Sequence, residues 1–322
     1  MKLSILLIGK NGQVGYDLQR LLPAYGELTA VDREQLELSV PDEIRRAVQK
    51  IRPQVIINAA AYTAVDQAEK QEPAAHAVNA IAPGILAEQA KQIGAALIHY
   101  STDYVFDGAK TTPYEENDPT NPLGAYGRTK LAGEQAIRDS GATHLIFRTA
   151  WIYSTRGTNF LLTILRLATQ REELRIVKDQ IGAPTSSREL AEATAKVVSQ
   201  LAALKNASME ENLAGLGGTY HMTAGGATNW SEFATTILDR VSTAIERKES
   251  PAWLLTALNG APLVTRRVLP ITTAEYPTPA RRPPYSVLSN EHLAKTFGIR
   301  LPDWKIQLRR VFEDGAEPTP LS

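Results

Sequence analysis

Tyr126 and Lys130 stand four residues apart in Tyr126-Gly127-Arg128-Thr129-Lys130, just ahead of the helix-favouring run Leu131-Ala132-Gly133-Glu134-Gln135-Ala136. At that spacing two side chains share one face of a helix. A free phenol titrates near about 10 and relays protons poorly at pH 7, but an ammonium beside it favours the phenolate. The pair can therefore act as an acid/base unit. A bare Tyr-x-x-x-Lys is more often a solvated helix face, so the chemistry needs two further parts: a dinucleotide fold and a second hydroxyl that can hold a carbonyl oxygen.

The elements that would position these residues begin at the N-terminus. Leu3 to Ile8 is an almost wholly apolar run, the pattern of a parallel strand buried on both faces. It enters Gly9-Lys10-Asn11-Gly12-Gln13-Val14-Gly15, and Tyr16 to Leu22 continues as an amphipathic helix. Glycines in such a strand-turn-helix permit a tight turn and bring the backbone close to a pyrophosphate at the positive helix N-terminus. The next apolar run, Leu28 to Val31, ends at Asp32-Arg33. An acidic residue there suits a ribose 2′-hydroxyl, whereas arginine suits a 2′-phosphate, so NADH and NADPH both stay open.

Two more buried strands follow, Pro53 to Asn58 and Ala95 to Tyr100, around a helical stretch from Val65 to Ile93 interrupted near Pro73 and Pro83. Ala59-Ala60-Ala61-Tyr62-Thr63 closes the first with small residues that let backbone approach a ligand. The second delivers Ser101-Thr102-Asp103-Tyr104 to its carboxyl end, where open α/β sheets place their chemistry. Thr102 is the candidate second hydroxyl. Taken alone, Ser-Thr-Asp after a strand is a turn or cap. Thr143 to Arg148 is a further strand, and the alternation of strands and helices predicts a doubly wound parallel sheet, the Rossmann arrangement.

With 322 residues the chain has room for a second lobe. A helix is expected from Arg156 to about Leu167, a strand over Leu174 to Val177, a helix from about Glu189 to Leu204, a strand over Thr219 to Met222, and helices over Trp230 to Val241 and Asp303 to Phe312. Ala207 to Gly218 reads as a flexible surface insertion. The proline-rich Tyr276 to Pro284 reads as a rigid wall carrying Arg281 and Arg282. The expected division is a dinucleotide-binding domain over 1–150 plus about 185–206, and a smaller C-terminal α/β substrate-binding lobe over about 151–184 and 216–322.

Apolar content of 43% is that of a globular protein. Lys+Arg and Asp+Glu are both 35, which gives no support to a nucleic-acid or acidic-membrane partner. The absence of cysteine excludes disulfides, thiolate nucleophiles and thiolate metal sites, and is compatible with a reducing cytoplasm. The N-terminal apolar run has no small-residue cleavage site and reads as a strand, and no stretch approaches a membrane span.

The strings GKNGQVG, IINAAAYTAVDQAE, HYSTDYVFDG, YGRTKLAGE, FRTAWIY, DQIGAPT and YPTPARRP occur in this order along the chain. It thereby resembles the extended short-chain dehydrogenase/reductases and, within them, the dTDP-4-dehydrorhamnose reductase family, almost end to end. The resemblance implies NAD(P)H-dependent reduction of a dTDP-4-keto sugar, the last step of dTDP-L-rhamnose synthesis for cell-surface polysaccharide. It implies Thr102, Tyr126 and Lys130 as catalytic residues. It places Gly9, Gly12, Gln13, Val14 and Gly15 against the pyrophosphate and Asp32, Arg33, Glu37 and Leu38 near the adenosine ribose. Ala61, Tyr62 and Thr63 then run along the cofactor, which Tyr126 and Lys130 also reach. Thr102, Asp103, Tyr104, Trp151, Asn159, Arg281 and Arg282 are implied for the substrate pocket. Relatives commonly carry an aspartate at Glu37-Leu38, a mild departure. Some relatives form a magnesium-bridged homodimer; Asp17 and Glu291 could correspond, but Arg188 stands where a third carboxylate would be expected.

Two other functions share this pattern. A nucleotide-sugar dehydratase or epimerase uses the same fold, yet a dehydratase is expected to carry Asp-Glu after the threonine, and here the pair is Asp103-Tyr104. A non-catalytic NADP-binding subunit of the methionine adenosyltransferase type looks similar too, but gives no reason to keep the Tyr126/Lys130 pair.

Overall fold

The computed structural model describes residues 3–203, 208–213 and 215–313. Five strands follow one another: β1 (Leu3–Ile8), β2 (Gly26–Val31), β3 (Val55–Asn58), β4 (Ala96–Thr102) and β5 (His144–Thr149). With Gly218–His221 they make one six-stranded sheet in the order Gly218–His221, β5, β4, β3, β1, β2. All pairs are parallel. The doubly wound sheet is borne out.

Alternate residues of each strand feed two cores. Ile5, Leu7, Ile57, Ile98 and Phe147 pack on one face against Leu18 of the helix Gln13–Leu21 and Leu190, Val197 and Val198 of the helix Ser187–Ala203. Leu6, Ile8, Ile56, Leu97 and Ile146 pack on the other against Ile44, Leu86 and Ile137. Every residue of β3 and β4 is buried, as covering on both faces requires. Because β1 lies between β2 and β3, the winding reverses there, and the crevice beyond the carboxyl ends of β1 and β3 is the ligand position of such sheets.

The stretch from Glu72 to Ile93 winds continuously through a π-helical turn at Ala77–Ile81. Pro83 has no N–H to give to residue 79, which accounts for the wider turn. The turn swings Asn79 inward, where its side chain is fully buried.

A third core, with Tyr153, Leu161, Phe233, Ile237 and Trp304, builds the smaller lobe around the helices Phe160–Ala168 and Trp230–Glu246. One of the two-stranded sheets beside it pairs Glu173–Val177 with Arg267–Ile271 in parallel. Residues 204–207 and 214 lie outside the described residues, and so does part of the expected insertion. Within it, Met209 and Leu213 are buried against the first core, so they are anchors and not a flexible surface. Gly218–His221 and the helix Glu291–Phe297, whose Leu293 and Phe297 join the same core, also belong with the large sheet.

Candidate active site

Tyr126 and Lys130 lie on the helix Ala125–Ser140, which is held at its start by two carboxylates. Glu69 Oε1 accepts the Ala125 N–H at 2.8 Å, and Arg128 makes a bidentate pair with Glu72 at 2.9 and 3.2 Å. Gly127 is required by contact: a Cβ there would lie 2.2 Å from the Tyr104 carbonyl oxygen. The close approach sets the Tyr104 and Tyr126 rings edge to face, 5.6 Å apart at 78°. One turn beyond Lys130, the fully buried Glu134 takes Arg148 of β5 bidentately at 2.7 and 2.9 Å and the Ser101 hydroxyl of β4 at 2.5 Å. Charge-assisted pairs of this geometry fix helix register against the sheet.

Thr102 ends β4. Its hydroxyl accepts the Tyr104 N–H at 3.2 Å and donates to Asp103 Oδ1 at 3.1 Å. Burial pushes the Tyr126 phenol up to about 12, against the lowering effect of the Thr102 hydroxyl and with the Asp103 carboxylate adding to it. Burial also raises Asp103 to about 6, with the Ser286 and Thr102 hydroxyls opposing. Lys130 is almost fully buried, and desolvation lowers its ammonium to about 8 while Glu134 opposes. Its Nζ donates to the Tyr100 carbonyl at 2.6 Å and lies 3.1 Å from His99 Nε2. The set is a phenol that keeps its proton until a strong base appears, next to a hydroxyl and an amine. That is the equipment for protonating an oxygen on which negative charge develops.

The glycine turn has the geometry of a phosphate cradle. Gly9 has φ +89°, and a Cβ on Gly15 would lie 2.0 Å from the Gly9 carbonyl oxygen, so the helix starts tight against the turn. Gly12 caps the helix without a side chain, leaving the first-turn amides of Gln13 and Val14 for an anion. Gln13 Oε1 is buried with no partner among the described residues. An NAD(P) pyrophosphate fits this cradle. At the end of β2, Asp32 receives the Asn11 amide at 3.0 Å and the Lys10 ammonium at 3.3 Å. Arg33 is 85% exposed and bonded to Glu37 at 2.6 Å. Leu38 is buried in the second core, so its side chain packs and only its backbone is left for a ligand. Asn79 holds the Ala61-Tyr62-Thr63 segment: Oδ1 accepts the Tyr62 N–H at 2.8 Å, and Nδ2 donates to the Tyr62 carbonyl and the Thr129 hydroxyl at 3.1 and 3.2 Å.

On the opposite side, Trp151 follows β5 with φ +48°, a left-handed backbone costly for a bulky residue, and stacks on Trp230 at 3.5 Å and 6°. Trp230 donates to Gln180 Oε1 at 3.1 Å. Asp66 grips the wall from Tyr276 to Pro284, taking Arg282 at 2.7 and 3.0 Å and the Ala280 N–H at 3.1 Å. Arg282 therefore anchors the wall, and Arg281 is exposed. Asn159 caps the helix Phe160–Ala168 and donates to Ser154 and Arg156 carbonyls, which commits its amide to the loop.

Residues 1–316 match the family model described as "RmlD substrate binding domain". The dTDP-4-dehydrorhamnose reductase of Burkholderia thailandensis is 46% identical over 305 residues, covering 94% of this chain and 96% of the relative. That of Escherichia coli strain K12 is 42% identical over 316 residues, 97% and 98% of the two chains. Among solved structures, the Bacillus anthracis dTDP-4-dehydrorhamnose reductase in complex with NADP superposes with a TM-score of 0.82 at 33% identity, over 96% of this chain and 98% of that one. The chain belongs to the RmlD family.

Several of this RmlD-family site's working parts escape a reading of motifs. Asn79 holds the Ala61-Tyr62-Thr63 segment, Glu69 and Glu72 hold the start of the Tyr126 helix, and His99 stands behind Lys130. Glu69 and Glu72 fall in the acidic run Asp66-Gln67-Ala68-Glu69-Lys70-Gln71-Glu72, a signal that reads equally as a solvated face. Trp230 is signalled only by its size. Within a single chain both candidate magnesium carboxylates are already engaged. Asp17 accepts the Ser187 hydroxyl at 2.6 Å beside Arg156 and Arg188, and Glu291 is paired bidentately with Arg300 at 2.8 and 2.9 Å. Among the described residues no group of three or more His, Asp or Glu side chains could hold a metal ion, and no helix is long and apolar enough to cross a membrane.

Proposed function

We propose that the chain reduces the 4-keto group of dTDP-4-dehydro-L-rhamnose with NAD(P)H to give dTDP-L-rhamnose. The observation that carries the reading is that the Thr102 hydroxyl bonds Tyr126 and Lys130 Nζ bonds the Tyr100 carbonyl at the carboxyl end of β4, two strands from the β1 that enters the Gly9 to Gly15 cradle, in a chain that matches named reductases almost end to end. Bound nicotinamide supplies the hydride. The Thr102 and Tyr126 hydroxyls hold the sugar's ketone oxygen. As that oxygen gains charge it becomes basic enough to take the Tyr126 proton, which burial otherwise retains. Lys130 faces the phenolate that is left. Trp151 and Trp230 offer a flat wall to the sugar, and Arg281, exposed on a segment that Asp66 holds rigid, suits the diphosphate. Asp103 is followed by Tyr104, so this edge holds no second carboxylate for eliminating water.

In this reading residues 1–150 and about 185–206, with Gly218–His221 and Glu291–Phe297, hold the dinucleotide. Residues 151–184 and the rest of 216–322 hold the sugar nucleotide. A cytoplasmic location follows from dependence on NAD(P)H, and a homodimer is carried over from the resemblance, to be checked by sedimentation.

Tyr126→Phe tests the reading. Turnover should fall about 10²- to 10⁴-fold, the range for loss of a general acid, while the dissociation constant for NADPH stays within twofold. Wild-type turnover in the phenylalanine variant would remove Tyr126 from the chemistry.

A further inference from the structure

We infer that His99, locked by Asn58, is a positioning residue that turns the charged form of Lys130 away from β4 and toward Tyr126. The inference rests on the acid/base reading of Tyr126 and Lys130. Its basis is a count of hydrogen-bond donors through three buried side chains, Asn58, His99 and Lys130.

The Ala60 N–H donates to Asn58 Oδ1 at 3.2 Å. That contact fixes the amide, because the reverse orientation would set two donors against each other. Asn58 Nδ2 then faces His99 Nδ1 at 3.1 Å, so Nδ1 must accept. A neutral imidazole accepting at Nδ1 carries its proton on Nε2. Burial and the Lys130 charge hold His99 well below the usual histidine range, so the ring is neutral at pH 7. Its Nε2–H points at Lys130 Nζ, 3.1 Å away. A neutral amine can accept that hydrogen while donating to the Tyr100 carbonyl at 2.6 Å. An ammonium cannot, since it has three donors and no lone pair.

The neutral lysine is thus matched to its rear wall, and the ammonium is not. On the rear side the acceptor for the ammonium among the described residues is the Tyr100 carbonyl. Glu134, on the same helix, favours the charge from a distance, but its oxygens are engaged by Arg148, Arg138 and Ser101. A charged Lys130 therefore gains most on the remaining side, where Tyr126 lies one turn earlier on the helix. The desolvation that lowers Lys130 to about 8 acts in the same direction. The consequence is a lysine whose ammonium is lowered to about 8 and presents its charge forward when the phenolate forms.

The decisive experiment uses the whole chain without cofactor or substrate. Long-range ¹⁵N–¹H correlation spectra of ¹⁵N-histidine-labelled protein, with His99→Gln to assign the signal, should show His99 as the Nε2–H tautomer from pH 6 to 9. The Nδ1–H tautomer, or an imidazolium at pH 7, would overturn the inference. Asn58→Asp supplies the converse, because a carboxylate accepts where the amide donated. His99 should switch to Nδ1–H, leaving Nε2 to accept from the ammonium, and the alkaline limb of the kcat profile should rise by about one pH unit or more. The added carboxylate raises Lys130 by its charge alone, so the limb is compared with that of Asn58→Asp/His99→Gln, and an equal shift in both variants would overturn the role of His99. Absence of turnover in wild type would count against the reductase reading and leave the tautomer result standing.

Discussion

Glu134→Gln should weaken the protein about as much as the loss of a large core side chain. Glu134 is fully buried, and the Arg148 side chain it neutralises is only 4% exposed. Burial would raise the Glu134 carboxyl, but the Arg148 guanidinium, the Ser101 hydroxyl and Arg138 together hold it below the usual range. Glutamine keeps the shape and removes the charge, stranding a guanidinium in the protein interior. Breaking one side of a buried pair costs about 3–5 kcal/mol, because the partner's charge stays buried. With a urea slope of about 3 kcal/mol per molar, the unfolding midpoint should fall by about 1–1.7 M. Adding Arg148→Met should recover most of the loss, since the Coulombic debt disappears when both partners go. Urea unfolding followed by far-ultraviolet circular dichroism measures all three proteins. A drop below about 0.3 M in the single variant, or no recovery in the double, would refute the pair as the fastening of the Tyr126 helix.

Two further outcomes bear on the cofactor side. Asn79→Ala removes three hydrogen bonds around Tyr62 and Thr129; at about 1 kcal/mol each for those that order the loop, the NADPH dissociation constant should rise about 10- to 100-fold by fluorescence titration. An unchanged constant would show that the π-helical turn does not order the segment. Arg33→Ala removes an exposed guanidinium beside Asp32. Steady-state kinetics should show KM for NADPH up about tenfold and KM for NADH within twofold, and equal changes in both would show that Arg33 does not read a 2′-phosphate.

Where local pattern and global fold agree, the architecture is legible in the residues. The apolar runs at Leu3 to Ile8 and Ala96 to Tyr100 are buried strands, and the Gly9 to Gly15 turn starts a helix because Gly15 alone tolerates the Gly9 carbonyl. Thr102 and Tyr126 are legible because hydroxyls at a strand end and a helix start are few. Less legible are residues whose role depends on partners far along the chain. Asn79 looks like any polar residue in a helix until Pro83 opens the π turn and turns it toward Tyr62. Arg282 reads as a ligand arginine until Asp66, 216 residues away in sequence, takes both its nitrogens. Arg267–Ile271 is hidden because Pro270 and flanking charge are tolerated in a strand paired on one side only. His99 is one residue of an apolar strand, and only the Asn58 amide on the neighbouring strand gives its tautomer meaning.

The central claim is the reaction itself, and its most direct test is absorbance at 340 nm with dTDP-4-dehydro-L-rhamnose generated in situ, NADPH or NADH, and a chelator present throughout. The account predicts loss of absorbance in one-to-one proportion with formation of dTDP-L-rhamnose. No loss with either cofactor, in folded protein that still binds NADPH, would contradict it.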